Sequence, residues 1–204
     1  SEWPVFTKEG LSSLEQRLQA RTATPLMQKA GLAAAKMAQA IAPHAQRIWI
    51  AAGPGNNGGD GLETAMQLHL AGKTVRVSLM ANPGKQATDA QTALGRALNA
   101  GVPIQADLPS DWLALMGPQD LCIDALLGIG VRSSTPPTPS GSAHGSVLAQ
   151  WLAQLRNSTA PVLAVDVPSG LDADTGQYAP GLEPATHTTS AKHSTAQHTL
   201  TLMT

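Results

Sequence analysis

The chain has 204 residues, of which 42% are apolar and 13% charged, with a formal net charge of −1. That length suffices for one sizeable core, so residues 1–204 are expected to form a single domain, and the lack of a basic stripe argues against nucleic acid as a partner. Aromatic residues are only 3%, too few for a base-stacking platform, and the one cysteine, Cys122, excludes an internal disulfide and a four-cysteine zinc site.

The apolar setting of Cys122, DLCIDALLG, marks it as an inert core thiol, which fits a cytoplasmic protein. No apolar segment reaches the roughly 18 residues of a membrane span. The first ten residues, SEWPVFTKEG, lack a basic-then-apolar export signal.

Two helices are expected first, over 11–20 and 26–41, separated by Pro25. The second, LMQKAGLAAAKMAQAI, carries Ala30, Gly31, Ala33, Ala34 and Ala35, small residues that let it pack closely against a neighbour. The apolar run 48–52 then reads as a buried strand. It leads through GPGNNGGDG at 53–61 into a helix expected to begin near Asp60, with Leu62, Met66, Leu68 and Leu70 on or near one face.

Residues 74–80 alternate like a strand, 88–100 form a helix stopped by Gly101, 102–105 a short strand, 110–116 a short helix capped by Ser110, and 121–127 another buried strand. A Pro/Ser-rich loop spans 133–145, and a helix resumes over 147–155. From 160 an apolar strand runs into Asp166, Pro168, Ser169, Gly170, Asp172 and Asp174, and a last strand is expected over 199–203. The polar stretch 178–198 carries His187, His193 and His198 at spacings that match no zinc signature, so these read as solvated loop histidines.

Strands alternating with helices imply an α/β fold, a Rossmann-like three-layer sandwich with a mostly parallel central sheet and helices on both faces. Ligands of such sheets sit at the carboxyl ends of the strands, so the segments leaving each strand are the candidates for function. The first is the glycine-rich turn. Its backbone can take positive φ or approach a ligand closely, and the helix after it presents free N–H groups, which together make a cradle for an anion or sugar-phosphate. It matches neither G-x-G-x-x-G nor a Walker loop, and its Asn and Asp oxygens suit ribose hydroxyls or a hard cation. The second is Asp124 with the GIGVR turn, and the third is the run of Asp166, Ser169 and Asp172. Each residue also has a purely structural reading: turn capping for Asp124, amide satisfaction for Asp166, an Asx-type turn for Asp172 and Asp174, left-handed turn positions for Asn56 and Asn57, helix capping for Asp60, and a surface ion pair for Arg132.

Three motifs in order, GPGNNGGDG, DALLGIG and VDVPSGLDADTG, resemble the YjeF N-terminal domain family, whose best-understood activity is NAD(P)HX epimerase; LMQKAG also resembles that family's LME-x-AG helix, with Gln28 where Glu is usual. The resemblance implies an isomerase that interconverts the R and S epimers of hydrated NADH and NADPH at C6 of the nicotinamide ring, commonly as a homodimer and with a bound potassium ion (K+). On this reading Asn56, Asn57, Gly58, Gly59 and Asp60 line the phosphate and ribose region. Gly128, Ile129, Gly130, Val131, Arg132, Ser133 and Ser134 form a second substrate loop. Asn57, Asp124 and Ser169 hold the potassium, with a carbonyl of Val131 or Arg132 as a further ligand, and Asp166 contacts substrate as general acid and base. Relatives of the same fold that act as binding or scaffold modules keep a non-catalytic reading open, as does a regulatory half of a fused enzyme. The family's usual leucine-lysine-proline-glycine continuation does not follow HTLTL, so the chain is expected to be the N-terminal part of a longer protein that includes an ATP- or ADP-dependent dehydratase.

Overall fold

Parallel strands covered on both faces read as near-continuous apolar runs, and the central strands of this chain do. The computed structural model describes residues 25–80, 87–130, 143–184 and 196–201. In it, β1 (Arg47–Ala52) is buried at every position but the first, and β4 (Leu121–Ala125) and β5 (Val162–Val165) are buried throughout. With β2 (Thr74–Leu79), β3 (Ile104–Gln105) and β6 (His198–Leu200) they form one six-stranded sheet in the order β3-β2-β1-β4-β5-β6, every neighbouring pair parallel.

Alternation along each strand divides the core into two layers. Ile48, Ile50 and Ala52 of β1 face α1 (Leu26–Ile41), α2 (Asn56–Leu70) and α3 (Thr88–Asn99), packing with Ala34, Ala38, Leu62, Leu68, Ala93 and Ala97. Trp49 and Ala51 face the other way, toward Leu113 of α4 (Ser110–Leu113) and Trp151, Leu152 and Leu155 of α5 (Ala143–Asn157). The Trp49 indole N–H is not stranded there; it donates to Ser78 Oγ at 3.1 Å, which in turn donates to the Asp107 carbonyl. Cys122 is 1% exposed in this second layer, as its apolar setting predicts.

The small residues of α1 are used against α2. A Cβ on Gly31 would sit 2.3 Å from the Glu63 Cβ, so the two helices touch backbone to side chain at this point. Glu63, 2% exposed, is in turn held by Arg96 of α3, whose Nε donates to its Oε1 at 2.8 Å.

The expected elements on described residues all occur, with shifted ends. α2 starts at Asn56 rather than near Asp60, because the turn out of β1 occupies only Gly53–Gly55 and the Gly59 N–H already donates to the Gly55 carbonyl at 3.1 Å. Ser110 is the first residue of α4 and not its cap, since Pro109 holds that position with no side-chain bond. α5 begins at Ala143, inside the stretch read as loop. Leu70 is 66% exposed at the end of α2, outside the apolar face. The expected helix over 11–20, the loop over 133–142, and His187 and His193 lie outside the described residues; His198 is exposed on β6. Among the described residues no helix is long and apolar enough to cross a membrane.

Candidate functional site

The strand order places a crevice between β1 and β4. From β1 the chain steps outward to β2 and β3, and from β4 it steps the opposite way to β5 and β6. Connections leaving the carboxyl ends of β1 and β4 therefore diverge, which opens the sheet's rim at that point. Main-chain packing sets the floor. The Gly53 N–H donates to the Ala125 carbonyl at 2.9 Å, a Cβ on Gly53 would lie 1.9 Å from the Leu126 carbonyl oxygen, and one on Gly58 would lie 1.8 Å from the Gly53 oxygen. Both positions are glycine because three backbones meet there. No glycine of this turn has positive φ, so close approach, and not conformational freedom, is what the motif supplies.

Asn57 lies in the first turn of α2, where main-chain N–H groups lack helical partners and the helix dipole is positive. Its side chain is 8% exposed, and both Oδ1 and Nδ2 are buried without a hydrogen-bond partner in the protein. A buried amide with both ends unsatisfied costs on the order of 1–3 kcal/mol, which a ligand of suitable chemistry would repay. Asn56 points out to solvent, Gly59 faces the Met27 thioether, and Asp60 is 7% exposed in the second turn, too late to cap the helix.

Asp166 follows β5. Its φ of 73° makes it the one non-glycine residue in the left-handed region among those described. Its backbone is fixed from both sides: its N–H donates to the Leu200 carbonyl of β6 at 2.8 Å, and the Thr201 hydroxyl donates to its carbonyl at 3.2 Å. The carboxylate reaches across to the segment after β4, where Oδ2 accepts the Ile129 N–H at 2.8 Å. Burial pushes its pKa above the ordinary aspartate range, offset in part by that bond.

Gly128 is where all three motifs meet. A Cβ there would sit 2.8 Å from Asp166 Oδ2 and 3.3 Å from the Asn57 Cβ, so the carboxylate and the unsatisfied amide flank one residue with no side chain between them. Asp124 lies beneath, fully buried. Its Oδ1 accepts the Ser169 hydroxyl at 2.5 Å and the Leu126 N–H at 3.3 Å, and its Oδ2 accepts the Ser169 N–H at 2.8 Å. Ser169 Oγ accepts the Leu127 N–H at 2.9 Å. Burial raises the Asp124 pKa against these hydrogen bonds and the positive field of Arg156.

The structure thus brings Asn57, Gly128, Ile129 and Asp166 to one rim, with Asp124 and Ser169 tying the ends of β4 and β5 together below it. Gly130 is exposed on the same loop, while Val131, Arg132, Ser133 and Ser134 lie outside the described residues. Asp172 makes the expected Asx-type turn, accepting the Asp174 N–H at 3.0 Å. Neither Asn takes a left-handed position, contrary to the turn reading. The amides of Leu126 and Leu127, which brace Asp124 directly and through Ser169, carry no side-chain signature and were not legible as site groups, whereas Ile129 was expected in the second substrate loop but not as the donor that orients Asp166.

The sequence model of the family described as YjeF-related protein N-terminus matches residues 23–204. The chain is 37% identical over 151 residues to an NAD(P)H-hydrate epimerase of Limosilactobacillus fermentum, covering 74% of this chain and 66% of that protein. It is 40% identical over 162 residues to an NAD(P)H-hydrate epimerase of Bordetella bronchiseptica, covering 79% and 64%. With a bifunctional NAD(P)H-hydrate repair enzyme of Pyrobaculum aerophilum it shares 38% over 161 residues, 74% of this chain but 29% of that one. The chain therefore spans just under two thirds of the length of the two epimerases. The crystal structure of the yeast protein ynu0 has the same fold, with a TM-score of 0.68 and 23% identity over 90% of this chain and 78% of that one.

Proposed function

The chain belongs to the family of YjeF-related protein N-termini, and from that premise we propose that it is an NAD(P)H-hydrate epimerase, interconverting the R and S epimers of NADHX and NADPHX. The observation that carries the proposal is the meeting at Gly128 of a buried carboxylate and an unsatisfied amide, beside the amino-terminal end of a helix.

In the reaction, the hydroxyl on C6 leaves as water once protonated, and the lone pair of the adjacent ring nitrogen stabilises the cation that remains. Water then adds from either face and loses a proton. One group that gives a proton and takes it back suffices, and Asp166 is that group: burial raises its pKa toward the working range, and the Ile129 N–H orients one oxygen so that the other is left for substrate. The first turn of α2 would receive the pyrophosphate on its N–H groups, with Asn57 offering a donor and an acceptor to the substrate or an ion.

A potassium ion fits the donor set. Asn57 Oδ1 has no partner in the protein, and Asp124 and Ser169, whose oxygens hydrogen-bond one another here, would contribute hard oxygens of the kind such a cation prefers. When bound it supplies positive charge beside a buried carboxylate and holds the rim segments together. We further propose that the chain acts in the cytoplasm as a homodimer, alongside an ATP- or ADP-dependent dehydratase, fused or separate, that consumes one epimer.

The test supplies a mixture of hydrate epimers together with a dehydratase specific for the S form. The protein should accelerate disappearance of the R form well beyond its spontaneous epimerisation. A rate equal to that background would leave a ligand-binding module as the account of this site.

A further inference from the structure

Arg156 lies in the last turn of α5, away from the three motifs, yet its guanidinium is spent on them indirectly. Nη2 donates to the Leu182 carbonyl at 2.5 Å, Nη1 to the Glu183 carbonyl at 3.3 Å, and the guanidinium carbon lies 5.7 Å from the centre of the Tyr178 ring. These contacts hold the returning limb of a loop that leaves Gly170 and folds back on it. Leu171 bridges Tyr178 in antiparallel fashion, and the Ala179 N–H donates to the Gly170 carbonyl at 2.8 Å. Gly170 itself has a φ of 93°, and a Cβ there would meet Leu182 at 3.0 Å and Tyr178 at 3.5 Å.

Gly170 is the residue after Ser169, and Ser169 is what grips Asp124 with two bonds and the Leu127 N–H with a third. Two residues beyond Leu127, the Ile129 N–H orients Asp166. Hence we propose that Arg156 is a positioning residue for this site: by clamping residues 178–183 onto Gly170 it fixes Ser169, and through Ser169 the Leu127–Ile129 segment that aims the Asp166 carboxylate. The fork of the guanidinium matters, because its two terminal nitrogens reach two successive carbonyls while its planar head stays over the Tyr178 ring, a fixed geometry that a point-like ammonium on a flexible stem reproduces less well. Buried fields agree with the placement, since the charges of Arg156 and Asp124 reach one another.

The experiment compares the full chain with Arg156→Met and Arg156→Lys by amide hydrogen exchange and by kinetics. In Arg156→Met the Leu127, Ile129 and Ser169 amides should exchange faster by about tenfold while the amides of β1 keep their protection, with Arg156→Lys in between. The kinetic arm rests on the epimerase reading: kcat should fall by about tenfold with KM within about threefold, because a misaimed acid/base loses turnover more than affinity. The exchange arm needs no substrate, so a wild type without epimerase activity removes that reading while leaving the clamp to be judged. Unchanged rim protection in Arg156→Met would overturn the proposal, as would equal loss in β1, which would make Arg156 a general stability residue. Should Arg156→Met fail to fold, the lysine variant decides on the same amides.

Discussion

Substituting Asp166 separates chemistry from backbone strain. Its φ of 73° is tolerated by Asn and Gly but costs an alanine about 1–2 kcal/mol. Alanine also leaves the Ile129 N–H without its acceptor, worth about 0.5–1.5 kcal/mol. Asp166→Ala should therefore lose about 2–3 kcal/mol, a fall in Tm of roughly 4–12 °C for a chain of this size. Asp166→Asn keeps the backbone preference and an oxygen for Ile129. It also removes a carboxylate whose pKa is raised in the folded state. Such a group binds its proton more tightly when folded, so it costs stability as pH rises from the unfolded pKa through the folded one. At neutral pH Asp166→Asn should then match or slightly exceed the wild type in stability. With no group left to exchange a proton, its turnover should fall by about 10²–10⁴-fold. Thermal melts and the coupled epimer assay on wild type, Asp166→Asn, Asp166→Gly and Asp166→Ala test both halves. An asparagine variant with turnover within about threefold of wild type would refute the acid/base assignment, and an alanine variant as stable as the asparagine one would refute the strain argument.

Gly128→Ala should fold normally but lose most turnover, because its Cβ falls 2.8 Å from the movable Asp166 Oδ2, whereas Gly53→Ala should destabilise by about 3 kcal/mol or more, its Cβ meeting a main-chain oxygen at 1.9 Å; melts and rates on both variants separate the cases. In a pH profile, kcat/KM should decline as pH rises through an Asp166 pKa above the ordinary aspartate range, because the protonated form starts the reaction, and a flat profile would contradict that order of events. Exchanging potassium for tetramethylammonium should lower the Tm of wild type, by up to about 2.7 kcal/mol of stabilisation if the ion was at 100 times its Kd; in Asn57→Ala the shift should vanish. Arg96→Met should cost about 1–3 kcal/mol by leaving Glu63, 2% exposed, without its partner, a figure reduced because the Arg96 side chain is 38% exposed, and adding Glu63→Leu should restore most of it in urea melts.

Much of the fold was legible because the central strands are near-continuous apolar runs and the helices follow a 3.6-residue period, so β1, β4 and β5 could be placed within a few residues. The start of α2 was misplaced by four residues for a reason that lies outside local sequence. Asn56, Asn57, Gly58 and Gly59 are poor helix formers, and they are helical because Gly58 is pressed against Gly53 and Gly53 against Leu126. The motifs pointed to Asn57, Asp124, Asp166 and Ser169, which do gather at one end of the sheet. They could not say that the left-handed backbone would fall on Asp166 and not on an Asn, since that follows from its bond to Leu200, 34 positions away along the chain. Arg156 was invisible for a similar cause: its partners are carbonyl groups and a ring in a loop with no regular pattern.

The bond from Asp166 to Leu200 bears on how preparations of this protein are judged. A product shortened before residue 196 would retain five of the six strands and all the helices described, and by circular dichroism or gel filtration it would pass for intact. It would nevertheless have lost the neighbour that holds the aspartate's main chain in place. Mass spectrometry of the carboxyl terminus, rather than a spectroscopic check, is therefore the release criterion for any batch whose inactivity is to be interpreted.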